Sequence, residues 1–163
     1  MEIKTQRLKV VLQTRAEVER MLDEMSEYDK AQVSADWLAR LRASKEADPW
    51  AHGFRVVHAD TAVKVGICSF KGPPEDGVVE IAYAINPEHQ GNGYATEATE
   101  ALVGYAFSCR NVRLVRAHTL PSAVASKRVL AKCGFDYVGE TIDPEDGPVS
   151  RFERSIGDNA SAA

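Results

Sequence analysis

The stretch Ile81-Ala82-Tyr83-Ala84-Ile85-Asn86-Pro87-Glu88-His89-Gln90-Gly91-Asn92-Gly93-Tyr94-Ala95-Thr96 sets a glycine-bearing loop between a run of strand character and a run of helical character. A helix start carries unpaired amides and a partial positive charge, so this junction suits a phosphate or pyrophosphate. Gly91 and Gly93 remove the side chains that would hold such a ligand away, and Ala95 keeps the first helical turn small. No lysine or arginine lies in this stretch, so main-chain amides are expected to carry the anion.

Spacing narrows the ligand. A Walker loop needs Gly-Lys-Ser/Thr after four intervening residues, which is absent. The dinucleotide fingerprint would place its third small residue at Thr96 and an acid about 20 residues on, where the chain has Arg110, Arg113 and Arg116. Other residues with chemistry to offer are fewer. Glu80 leads the strand into the loop and could act as a base; an exposed carboxylate or a partner for a nearby arginine is its plainer reading. Ser126 could give a hydrogen bond or proton to a sulfur leaving group, or serve a helix start. His118 could relay protons, although a structural or surface histidine is simpler. Cys133 is most simply a small core residue. The chain has no Cys-x-x-Cys, and His52, His58, His89 and His118 lack ligand spacing, so no metal is expected.

The elements that must position these residues follow from periodicity. Leu8, Val10 and Leu12 alternate in a first strand spanning residues 3–12. Thr14-Arg15-Ala16-Glu17 matches a capping box for a helix over about 15–27, and a second helix covers about 32–45. Strands at 54–59, 62–70 and 78–85 form an antiparallel meander, which is the wrong setting for a dinucleotide loop. After the glycine loop come a helix to about Phe107, a strand at 112–118, a helix at 123–132 stopped by Gly134, and strands at 135–139 and 149–155. Pro-Glu-Asp-Gly occurs at both 74–77 and 144–147, which shared turn chemistry explains.

Gln90-x-x-Gly93-x-Ala95 resembles the Q/R-x-x-G-x-G/A signature of the GNAT superfamily of N-acetyltransferases. Glu80-Ile81-Ala82-Tyr83, Pro87 and the run from Gly91 to Ala98 resemble its ribosomal-protein, Rim-type branch. Thr5-Gln6-Arg7-Leu8 is similar to that branch's opening strand, and Ala125-Ser126 with Lys132-Cys133-Gly134-Phe135 to its later helix. The resemblance implies one α/β (α+β) domain over residues 1–156: a mixed, mostly antiparallel sheet with helices on both faces, then a disordered tail at 157–163. It implies acetyl-CoA as co-substrate, held by Tyr83, Ala84, Ile85, Gln90, Gly91, Asn92, Gly93, Tyr94, Ala95, Thr96, Ser122 and Ser126. It also implies an oxyanion-binding amide within 83–85, with Glu80 and Ser126 as the candidate base and acid. The chain departs from the pattern twice. Ala123 stands where an asparagine usually binds the pantetheine arm, and Leu130 where many members carry a tyrosine acid.

The expected reaction is acetyl transfer to a primary amine, on a small molecule or a peptide N-terminus, by direct attack in a ternary complex. The alternative is a non-catalytic module that binds acetyl-CoA. With 44% hydrophobic and 27% charged residues, the 163-residue chain has the make-up of one globular domain. A net charge of −4 argues against a nucleic-acid partner and slightly favours a cationic acceptor. No apolar run approaches the roughly 20 residues of a membrane helix. Three cysteines and a start without a secretory h-region fit a cytoplasmic monomer or homodimer.

Overall fold

The computed structural model describes residues 1–157; the tail expected to be disordered lies, from residue 158, outside the described residues. The N-terminal segment is a hairpin rather than one strand. β1 (Glu2–Lys4) pairs antiparallel with β2 (Leu8–Leu12). Thr5 closes the turn, its N–H and hydroxyl both reaching the Leu8 carbonyl. The continuous alternation of Leu8, Val10 and Leu12 hides this turn because only β2 is buried.

The capping box at Thr14 and Glu17 is present and starts α1 (Arg15–Glu24). That helix ends sooner than expected. Met25 turns extended, and Ser26 accepts from the Asp29 amide to start the short α2 (Glu27–Ala31). Ser34 caps α3 (Ala35–Ala43) in the same way. The meander then follows as expected: β3 (Phe54–His58), β4 (Lys64–Phe70) and β5 (Val78–Ile85). After the glycine loop come α4 (Tyr94–Ser108), β6 (Leu114–Thr119) and α5 (Val124–Lys132). The last hairpin, β7 (Asp136–Asp143) and β8 (Gly147–Ser155), has longer strands than periodicity suggested.

One eight-stranded sheet results, ordered β1-β2-β3-β4-β5-β6-β8-β7. Only β5 and β6 run parallel. Ala98, Leu102, Val103 and Ala106 of α4 are buried against the sheet with Val79, Ile81, Val115 and Phe152. Phe54, Phe70, Trp50 and Tyr105 extend this core as an aromatic cluster, with ring centroids 4.8 to 6.4 Å apart. The helices at the start of the chain cover the opposite face. Arg55, whose neighbours Phe54 and Val56 point into the core, reaches Glu17 of α1 from that side.

The pairing of β5 with β6 covers only Val78 to Ile81 against Leu114 to Ala117. Beyond it, β5 stays with β4 as far as Ile85, while β6 continues beside β8. The two parallel strands therefore splay. Gly66 of β4 holds the free end of β5 close: a Cβ there would sit 2.3 Å from the Ala84 carbonyl oxygen and 3.0 Å from Ile85 Cα. Backbone cannot give way as a flexible side chain does. Gly66→Ala is expected to lower stability by about 1–3 kcal/mol, measured as a lower urea midpoint; an unchanged midpoint would show that β5 is not pinned there.

Candidate functional site

A cleft of about 480 Å³ opens at the splay. Tyr83, Ala84 and Ile85 of β5, Gln90, Gly91, Gly93, Tyr94, Ala95 and Thr96 of the loop and α4, and Ser126 of α5 all line it. The strand, the glycine loop and the later helix, which carry the sequence resemblance, thus converge on one cavity. Two expected contacts fall outside its lining. The side chain of Asn92 turns back to the carbonyls of His89 and Gln90, at 3.0 and 3.4 Å, and so shapes the loop instead. Ser122 lies before α5, its carbonyl accepting from Val124, and does not reach the cleft.

Main-chain directions at the splay follow from strand alternation. Lys71 N–H donates to the Glu80 carbonyl and Asn86 N–H to the Val65 carbonyl, each at 2.8 Å. Even-numbered residues of β5 therefore point their polar groups at β4, and odd-numbered ones at the β6 side. Past Ile81 that side is the gap. The amides of Tyr83 and Ile85 are directed into it, while that of Ala84 faces β4. Gln90 occupies the Ile85 carbonyl through its side-chain amide at 2.9 Å, which ties the loop to the strand end.

α4 begins at Gly93, whose φ of +82° a residue with a Cβ rarely adopts. No side chain caps this helix, so its first amides face the cleft. The sequence pointed to amides for most of the anion binding; Arg128 and Lys132 of α5, with His89, line the cleft as well. The two cations stand at i and i+4 on one helix face, a spacing visible in the sequence once the helix is recognised.

The glycine loop is braced from the β1–β2 turn. Arg7 donates to the Asn92 carbonyl at 2.7 Å, and its guanidinium carbon lies 4.9 Å from the Tyr94 ring centre. Its Nε and backbone N–H donate to the two carboxylate oxygens of Glu97, at 2.9 and 2.8 Å, and the Thr5 hydroxyl meets the same carboxylate. Burial would raise the Glu97 carboxyl, but the hydrogen bonds from Thr5 and Arg7 and the Arg7 charge together hold it below the ordinary value.

Tyr83 donates its hydroxyl to the Ser126 carbonyl at 3.3 Å, and burial pushes its phenol up to about 12, so it stays protonated. Leu130 is fully buried in the core. The Cys133 thiol, pushed up to about 12 by burial, contacts the Thr96 carbonyl and is inert as a nucleophile.

Glu80 does not line this cleft. It points to the other face of β5, into a cleft of about 390 Å³ with Arg40, Lys71 and Arg116. Arg40 and Lys71 also line a larger cleft of about 560 Å³, bounded by Trp37 of α3, Ile67 and Ser69 of β4, Ala82 of β5 and Asp143 to Glu145 of the last hairpin. The large cleft and the splay cleft are both lined from β5, the first by Ala82 and the second by Tyr83, Ala84 and Ile85.

A family model described as the acetyltransferase (GNAT) domain matches residues 5–136. The uncharacterized N-acetyltransferase YjdG of Bacillus subtilis is 32% identical over 99 residues, which cover 60% of this chain and 56% of that protein. The chain thus spans little more than half the length of such curated relatives. A ribosomal L7/L12 α-N-protein acetyltransferase solved with coenzyme A superposes with a TM-score of 0.71 at 15% identity, covering 96% of this chain and 98% of that one. An aminoglycoside acetyltransferase solved with coenzyme A and kanamycin gives 0.67 at 18%, covering 94% and 98%. At these identities the likeness establishes the shared fold.

The lowered Glu97 carboxyl has a pH consequence. A depressed folded-state pKa adds stability in full above the ordinary glutamate value of about 4.3, and that stability is lost as pH falls through the folded-state value. Chemical unfolding of the protein and of Glu97→Gln should therefore differ at pH 7 and converge in acid. A gap that does not narrow as pH falls below the ordinary glutamate value would contradict the clasp.

Proposed function

The chain belongs to the acetyltransferase (GNAT) domain family, and from that premise we propose that it transfers an acetyl group from acetyl-CoA to a primary amine within a ternary complex. The observation that carries this reading is the pair of clefts sharing β5 at its splayed end, one lined by helix-start amides and cations, the other open to an acceptor. The first amides of α4, with Arg128 and Lys132, suit a diphosphate. Tyr83, Ile85 and Ser126 then flank the rest of the carrier along the gap.

Acetyl-CoA supplies an activated acyl group as a thioester; a C–N bond forms as the C–S bond breaks. The amides of Tyr83 and Ile85 are fixed donors for negative charge growing on the carbonyl oxygen, and a donor preset in this way is typically worth about 3 kcal/mol. Glu80 accepts the proton that the acceptor ammonium must lose before the neutral amine can attack, directly or through water. Ser126 lines the cleft, and its hydroxyl serves the departing sulfur. The two solved neighbours are named for a protein N-terminus and an aminoglycoside, and both acceptor types remain within this proposal. Placement in the Rim-type branch is supported by the clasp that joins Thr5 and Arg7 to Glu97, since the two motifs behind the resemblance touch each other.

A thiol-release assay with peptide N-termini, polyamines and aminoglycosides tests the proposal. Amine-dependent release of coenzyme A is expected; acetyl-CoA binding without release for any amine would favour the non-catalytic module. Arg128→Ala should weaken acetyl-CoA binding about tenfold, on the order of 1.4 kcal/mol, with the loss shrinking at high salt. Equal affinity in calorimetry would remove Arg128 from the site.

A further inference from the structure

We propose that His118, fixed in one tautomer by Arg151, is a positioning residue that aims the Glu80 carboxylate at the acceptor amine. The inference rests on the reading of Glu80 as the base. It begins from register. Glu80 pairs with Arg116 on β6, and Arg116 with Glu153 on β8, so the three side chains share a sheet face with His118 and its partner Arg151. Arg116 is committed to Glu153, its Nε and one terminal nitrogen both 2.7 Å from the same oxygen. Glu80 is thereby left to two other groups. Lys71 Nζ lies 3.1 Å and His118 Nδ1 3.0 Å from its Oε2.

The tautomer follows from donor chemistry. Arg151 Nε donates to His118 Nε2 at 3.0 Å. A guanidinium has no acceptor, so Nε2 must be the bare nitrogen and the ring proton sits on Nδ1, facing Glu80. Nδ1 is buried and makes no aligned hydrogen bond; the Glu80 carboxylate lies within reach of it, its Oε2 at 3.0 Å. The side chain of His118 is 11% exposed and that of Glu80 25%, so the pair is sheltered, with Glu80 opening into the cleft it shares with Arg40 and Lys71. Both contacts fall on Oε2. The nearest approach of each cation-forming side chain is thus to Oε2, and Oε1 is the oxygen we assign to the substrate.

The groups around the ring are Lys71, Glu80, Arg116, Arg151 and Glu153, with the carboxylate of Asp143 on the last hairpin also within electrostatic reach. With Nε2 held as an acceptor by Arg151, the ring acts as a donor through Nδ1.

Two measurements test this. Nitrogen-15 NMR of the full chain near neutral pH should show His118 protonated at Nδ1 and bare at Nε2; the opposite tautomer would overturn the proposal whether or not an acceptor is known. Kinetics with the fastest amine of the thiol-release panel should show kcat about tenfold lower for His118→Phe, with the KM for acetyl-CoA unchanged. His118→Asn, which keeps a donor near the Nδ1 position, should recover part of that loss. Glu80→Gln should cost about 100-fold or more, and adding His118→Phe to it should cost little further, because the two act as a unit. Full turnover in Glu80→Gln would sink the base assignment. A slow Glu80→Gln beside a normal His118→Phe, or losses that multiply in the double variant, would sink only the role of His118.

Discussion

The parting of β5 from β6 after Ile81 and Ala117 is the constraint on which the rest of this molecule depends. Main-chain groups in a sheet interior are normally paired, and leaving them unpaired in a dry interior is costly. Here the odd-numbered amides of β5 emerge into a cleft instead. The gap persists because both strands are held on their outer sides, β5 by β4 and β6 by β8. Close contact at Gly66 and the grip of Gln90 on the Ile85 carbonyl then fix the free strand end.

Electrostatics is divided between the two sides of that strand. On the cofactor side, positive potential comes from the start of α4 and from Arg128 and Lys132. Glu97, an acid in the first turn of α4, would oppose an anion there, but Arg7 and the Thr5 hydroxyl bind it away from the cleft. The β1–β2 hairpin thus acts on the site without lining it. On the other side of the strand, contacts run across the sheet from Lys71 through Glu80 and His118 to Arg151.

Much of the cofactor side was legible in the chain. Gly91 and Gly93 sit at positive φ, a conformation that favours glycine, and such a need leaves a mark on sequence. The meander, α4 and α5 followed from periodicity for the same local reasons. What escaped depends on contacts between distant segments. Nothing near Gly66 announces that a carbonyl will lie 2.3 Å from a Cβ placed there. The turn at Thr5 was invisible because its purpose is to meet Glu97, and the serine cap at Ser26 was passed over in favour of one longer helix. Arg128 and Lys132 were within reach, since a spacing of four on an identified helix puts both on one face. His118 read as a structural histidine because its neighbour Glu80 is brought to it only by the parallel pairing of β5 and β6.

The central claim is that amides at the splay and at the start of α4 hold a thioester carrier, and amide NMR during titration with acetyl-CoA tests it most directly. The account predicts that the largest shifts fall on Tyr83, Ile85 and residues 91–95. Saturation with those signals unmoved, or changes centred on another face of the sheet, would contradict it.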